Sequence, residues 1–239
     1  EGVLRVLYLI FNEGYDASSG DELTRADLSA EAIRLTRVLA ALMPDEPEVL
    51  GLLALMLLTD ARRDARSVDR EVVLLEEQDR SRWDRRTIEE GRQWLESAWR
   101  AGRPVSYALQ GAIALVHDTA PSFEQTDWQR IVALYATLAL VEPSPVVELN
   151  RAAAEAHLLG PGVALERMDA LSEALDGYLY LHAARADMLR RLHRSDEARD
   201  AYTRALELAG NGSEQRFIRR RLSELPPSRL PDARIPGSR

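Results

Sequence analysis

The chain has 239 residues and contains neither cysteine nor lysine. Without cysteine it can form no disulfide, no thiolate–metal bond and no cysteine nucleophile, and its redox compartment stays open. Without lysine, arginine supplies all 31 basic side chains, a bias that GC-rich codon usage produces. Positive charge is also in deficit: the formal net charge is −8. An acidic chain repels a phosphate backbone unless its basic groups concentrate on one face, so direct DNA binding by this segment is not expected. Long apolar runs are missing as well. The longest, residues 49–58 with a glycine inside it, is half of the roughly 20 residues that cross a bilayer. The opening apolar run is flanked by one acid and one arginine, with no small-residue cleavage site after it, and does not read as a signal peptide. No membrane association and a cytoplasmic location are the expectation.

Catalytic motifs are absent too. There is no G-x-S-x-G, no P-loop and no dinucleotide glycine fingerprint. The histidines, His117, His157, His182 and His193, form no H-x-x-x-H pair. The acid pairs Glu76-Glu77 and Glu89-Glu90 are adjacent in sequence, so their carboxylates do not face each other. These absences predict a protein that is not an enzyme, with no catalytic residue, no cofactor and no metal. His182 reads as a core residue, and His117-Asp118 as a charge interaction near a helix C-terminus.

What is present is helical periodicity. Apolar residues make up 46% of the chain and charged residues 29%, an ordinary globular balance. Leu28, Ala32, Leu35, Leu39 and Leu42 recur at spacings of three and four, which predicts an amphipathic helix ended by Pro44. Asp45 reads as the cap of the next helix, with Glu48 at its third position. That helix, residues 47–63, is apolar on nearly every side and should be central. Thr87-x-x-Glu90 and Thr126-x-x-Gln129 read as capping boxes, and Ser144-Pro145 as a cap with a first-turn proline. Ser195 precedes a helix, and Gly102, Gly160 and Gly177 stand where helices should stop. Val72 to Leu75 is the one β-like run, inside an irregular stretch at 67–83. The arginine runs Arg62-Arg63, Arg190-Arg191 and Arg219 to Arg221 read as solvated faces.

The pattern predicts an all-α fold, an antiparallel helix-pair array of tetratricopeptide-like kind with about ten or eleven helices. Ala186, Ala198, Tyr202 and Ala205 fit the small and aromatic positions of that 34-residue repeat. Ala32, Thr36, Leu39 and Pro44 fit the second-helix offsets earlier, and Leu50, Leu53, Ala54 and Leu57 fit the first helix of a following unit. Residues 146–171 form a blurred third copy. Such arrays build concave surfaces for peptides or domains. Residues 1–225 are read as one helical repeat-like domain and 226–239 as a flexible, proline-rich tail.

Three polar clusters stand out: Asn12, Glu13 and Tyr15 after the opening apolar run, Gln78, Asp79, Arg80 and Trp83 in the irregular stretch, and Asn150 with Arg151. The residues singled out as groove contacts are Tyr15, Arg25, Gln78, Asp79, Arg80, Trp83, Asn150 and Arg151. The alternative for each is a structural tie between a loop and a helix end.

The stretches FNEGY, DLSAEAIRL, LLALMLLTDAR, EEQDRSRWD, TDW, PSPVVELNRA and AARADMLRRL occur in that order. Together they resemble the C-terminal tetratricopeptide-like extension of a group of bacterial extracytoplasmic-function RNA polymerase sigma factors. In that family two sigma regions precede the extension, and they are absent from these residues. The resemblance implies a regulatory, protein-contacting role in transcription initiation. Its partners would be the sigma regions of the same parent protein, RNA polymerase, or both, with a peptide or small molecule as effector. His193 falls where the family has a glycine, which predicts a differently built turn. The competing expectation is a free-standing helical scaffold that binds a peptide or small molecule.

Overall fold

The computed structural model describes residues 2–15, 22–68, 71–103 and 105–227. They form twelve α-helices, two 3-10 turns and one minimal hairpin. The proline-rich segment 228–239 lies outside the described residues.

The chain begins with α1 (Gly2–Tyr15) and α2 (Glu22–Leu42), which pack on each other. Leu4, Leu7 and Phe11 of α1 are buried at spacings of three and four. The helix continues through Asn12, Glu13 and Gly14 to Tyr15. α3 (Pro47–Asp60) is the centre of the molecule. Every residue from Val49 to Leu58 is buried, and α3 packs on α1, α2, α5 (Arg85–Ala101) and α6 (Ser106–Thr119). Its Gly51 makes the contact with α6 possible: a β-carbon there would stand 2.6 Å from the backbone nitrogen of Ala108.

The helix pattern of α2 was legible, but its inner face was not. Ser29, Ala32, Ile33, Thr36 and Ala40 are buried, whereas Leu28, Leu35 and Leu42 are exposed. The small residues let α2 approach the leucine-rich α3 closely. Thr36 is satisfied inside by donating to Ala32 O at 2.8 Å, and Ser29 accepts from Arg63 Nη2 at 2.6 Å.

After α3 come the short α4 (Arg63–Arg66) and a hairpin of β1 (Ser67–Val68) and β2 (Glu71–Val72), with Ser67 opposite Val72. Two 3-10 turns, Leu75–Glu77 and Arg80–Arg82, complete the irregular stretch. The array then proceeds through α7 (Trp128–Val141), α8 (Pro145–Glu155), α9 (Pro161–Asp169), α10 (Leu179–Arg191), α11 (Ser195–Leu208) and α12 (Gly212–Ser223), each helix packed on the next. Ala186, Ala198, Tyr202 and Ala205 are buried together where α10 meets α11, as repeat packing requires. α12 returns to touch β2, and Arg220 lies 3.9 Å from Glu77. The array therefore curls around the irregular stretch.

Several caps differ from expectation. Asp84, not Thr87, caps α5, accepting from the backbone of Arg86 and Thr87. Asp127, not Thr126, caps α7. Glu46 stands at the N-cap of α3 without a side-chain bond. Glu48 turns outward and accepts from the backbone nitrogens of Ser106 at 3.2 Å and Tyr107 at 3.1 Å. It caps α6 from another helix, where two orphan donors need an acceptor. Ser144 caps α8 as expected, and His182 is buried with Nε2 2.7 Å from Asp176 O.

Candidate functional site

The described residues place Gln78, Arg80 and Trp83 at one junction, between the irregular stretch and the C-terminal end of α6. Arg80 reaches across the gap, and its Nη1 donates to His117 O at 2.7 Å and Ala120 O at 2.9 Å. These are the carbonyls that a helix leaves unpaired at its C-terminus, where a cation is also favoured by the dipole. The Arg80 guanidinium lies 4.4 Å from the ring centre of the buried Trp83. Gln78 donates to Val73 O at 3.2 Å, which closes the loop on itself. Asp79 is exposed and caps the Arg80–Arg82 turn by accepting from Ser81 N at 2.9 Å. The Ser81 hydrogen bonds hold its carboxyl below the usual carboxylate value.

Beneath this junction lies Asp118, with no solvent exposure. Arg62 approaches it to 3.5 Å, an ion pair without hydrogen-bond geometry. Arg85 donates to the Asp118 backbone carbonyl at 3.3 Å. Burial pushes the Asp118 carboxyl up to about 6, against the pull of Arg62, Arg80 and Arg85. Its neighbour His117 goes the other way. Burial, reinforced by Arg62, Arg80 and His157, pushes it down to about 3. His117 is therefore neutral near pH 7 and supplies no charge to the helix end. Arg80 does so instead, which corrects the charge role expected of His117. The His117 ring meets Trp128 edge to face at 5.3 Å, and Trp128 stacks flat on His157 at 3.7 Å.

Six buried side-chain atoms at this junction have no hydrogen-bond partner within the protein: Gln78 Oε1, Arg80 Nη2, Trp83 Nε1, His117 Nδ1 and both Asp118 oxygens. They mix donors and acceptors, a composition that bridging water satisfies. The arrangement fastens a loop around a buried charge. Among the described residues, no group of three or more His, Cys, Asp or Glu is placed to hold a metal ion.

Asn150 and Arg151 belong to a second group on α8. Asn150 is exposed. Arg151 Nε donates to Glu155 at 3.1 Å, and Arg167 lies 2.9 Å from the other oxygen of that buried carboxylate. The side chains of Tyr15 and Arg25 lie outside the described residues.

The sequence reading missed Arg62, Arg85 and Arg167, because their partners lie far along the chain or on another helix, and it missed Glu155 although Arg151 stands one turn before it. The arginine runs are likewise not plain solvated faces. Arg62 pairs with Asp118, Arg191 donates to Ala156 O at 3.3 Å, and Arg221 lies 3.6 Å from Asp187. The odd apolar break at His117-Asp118 was the one available signal.

Residues 1–99 match the model of a family described as a family of unknown function, DUF6596. That span holds α1 to α4, the irregular stretch and most of α5. Over 224 residues the chain is 48% identical to an uncharacterized protein of Rhizobium meliloti (strain 1021). The match takes in 93% of this chain and 53% of that protein, so the chain spans about half the length of the relative. Among the described residues, no helix is long and apolar enough to cross a membrane.

Proposed function

We propose that residues 1–239 are the regulatory helical part of a longer alternative sigma factor of the extracytoplasmic-function type, contacting its sigma regions, RNA polymerase or both. The observation that carries this reading is the ordered set of stretches from FNEGY to AARADMLRRL, spread along the helix-pair array. The relative's length agrees with it, since nearly half of that protein lies beyond the match. The acidic balance of the chain suits protein contact better than DNA contact. In this reading Gln78, Arg80 and Trp83 act by holding the irregular stretch in place, and the exposed Asp79 and Asn150 remain available to a partner or a small effector.

The experiment is run-off transcription with core RNA polymerase on genomic DNA, with and without the full-length parent, followed by sequencing of the start sites. Start sites that appear only when the parent is present are the expected result. An identical start-site map in both reactions would overturn the sigma-factor reading.

A further inference from the structure

Tandem helical arrays need terminal elements with a polar outer face, because an uncovered repeat leaves its stacking surface in water. The two ends of this array differ. At α12 the exposed positions are polar or charged, Arg216 and Arg219 among them, and beyond Tyr180 no large apolar side chain is exposed among the described residues. At α1 and α2 large apolar side chains are exposed alongside the charged Arg5, Glu31, Arg34 and Arg37. Val3, Val6 and Leu9 recur every three residues along α1, with 65%, 54% and 59% of their surfaces in solvent. Leu35, Val38 and Leu42 recur at three and four along α2 and are exposed too. Both helices thus carry a second apolar stripe, distinct from the one that packs on α3. Scattered apolar residues on a surface need no explanation, but helically spaced stripes on two packed helices have the form of a stacking face.

We propose that the α1–α2 face is an intramolecular docking surface, covered in the parent protein by a helical part of the same polypeptide lying outside residues 1–239. Two observations select this occupant. The 48% identical relative carries nearly as much chain again beyond the matched region, so a covalently linked partner is at hand at high effective concentration. The spacing of both stripes suits another helix laid along the pair, which would extend the array by one more layer. This surface gives a place to the intramolecular contact proposed above, yet its existence does not require the occupant to be a sigma region.

The test exploits the absence of cysteine from the chain. In the full-length parent, Leu9→Cys and Leu42→Cys are made singly, with Leu140→Cys on α7 as a reference at a site that is 84% exposed. Labelling by a soluble maleimide is followed by mass spectrometry of the corresponding peptides. The expected result is labelling at Leu9→Cys and Leu42→Cys at least tenfold slower than at Leu140→Cys, independent of protein concentration. Equal rates at the three sites would overturn the proposal. So would protection that disappears on dilution, since that assigns the face to a second copy. Either failure leaves the transcription test untouched, and absence of new start sites would not remove a concentration-independent protection.

Discussion

His193 holds the turn between α10 and α11 with a backbone φ of 59°, the left-handed region that a β-carbon disfavours. The turn is a Schellman cap: Arg194 N bonds to Leu189 O at 2.9 Å and His193 N to Arg190 O at 3.0 Å. A histidine at a glycine position had suggested a different turn, but the structure keeps the glycine-like geometry with a histidine in it. His193→Gly relieves the strain and loses little else, because the side chain is exposed. It should raise stability by roughly 1 kcal/mol, the cost of one left-handed residue less the added freedom of the unfolded chain. A lower urea midpoint for the variant would contradict this account of the turn. Asp118 supplies a second prediction at this scale. Its pKa of about 6 in the fold lies above its ordinary value, so the fold favours the protonated carboxyl. That stabilisation is complete below about pH 4 and is lost as the pH rises through about 6. The stability of the unsubstituted chain relative to Asp118→Asn, which is neutral throughout, should fall by about 2 kcal/mol between about pH 4 and pH 7. Denaturant unfolding of both proteins across that range checks it; a flat difference, or one that grows with pH, would be incompatible with the buried carboxyl described here.

At the scale of elements, helix periodicity and composition were read correctly where they dominate. The burial of α3 around its full circumference and the small-residue seam of α10 and α11 were both visible in the residues themselves. The choice of inner face on α2 was not, because it is set by what α3 presents: a leucine-rich helix accepts Ser29, Ala32 and Thr36 at close range and leaves Leu35 and Leu42 outside. Caps were misplaced by one to three residues where Asp84 competes with Thr87 and Asp127 with Thr126. In each case the carboxylate, a stronger acceptor, wins the orphan backbone donors. The junction of Arg80, Arg62 and Asp118 was illegible for another reason. Arg80 and the pair His117-Asp118 were recognisable as unusual and Arg62 was not, and nothing local says that Arg80 will reach the last carbonyls of α6 or that Arg62 will pair with Asp118. Gly51 makes the same point about contacts between elements. In an exposed helix interior, glycine to alanine gains about 1 kcal/mol. Here the new methyl would meet the backbone of Ala108 at 2.6 Å, so Gly51→Ala should lower stability by about 1–3 kcal/mol, the range for overpacking a close contact. A variant that melts at or above the temperature of the unsubstituted chain would show that α3 and α6 do not cross so closely.

On the scale of the whole molecule, the array is asymmetric. Its irregular stretch is held on the inside by Arg80 and met again by α12, and its final described helix is polar outward. Its first pair carries apolar stripes on the outside. A helical array with one finished end and one unfinished end fits a part that works on a neighbour within the same polypeptide. We propose, centrally, that these residues regulate the rest of a longer polypeptide. Transcription driven by the full-length parent from its own promoters, compared with the parent lacking residues 1–239, tests this most directly. The account predicts a change of at least several-fold: a rise if the array restrains the sigma regions, a loss if polymerase needs it, with the shortened protein still folded by circular dichroism. Equal transcription from the two proteins would contradict it.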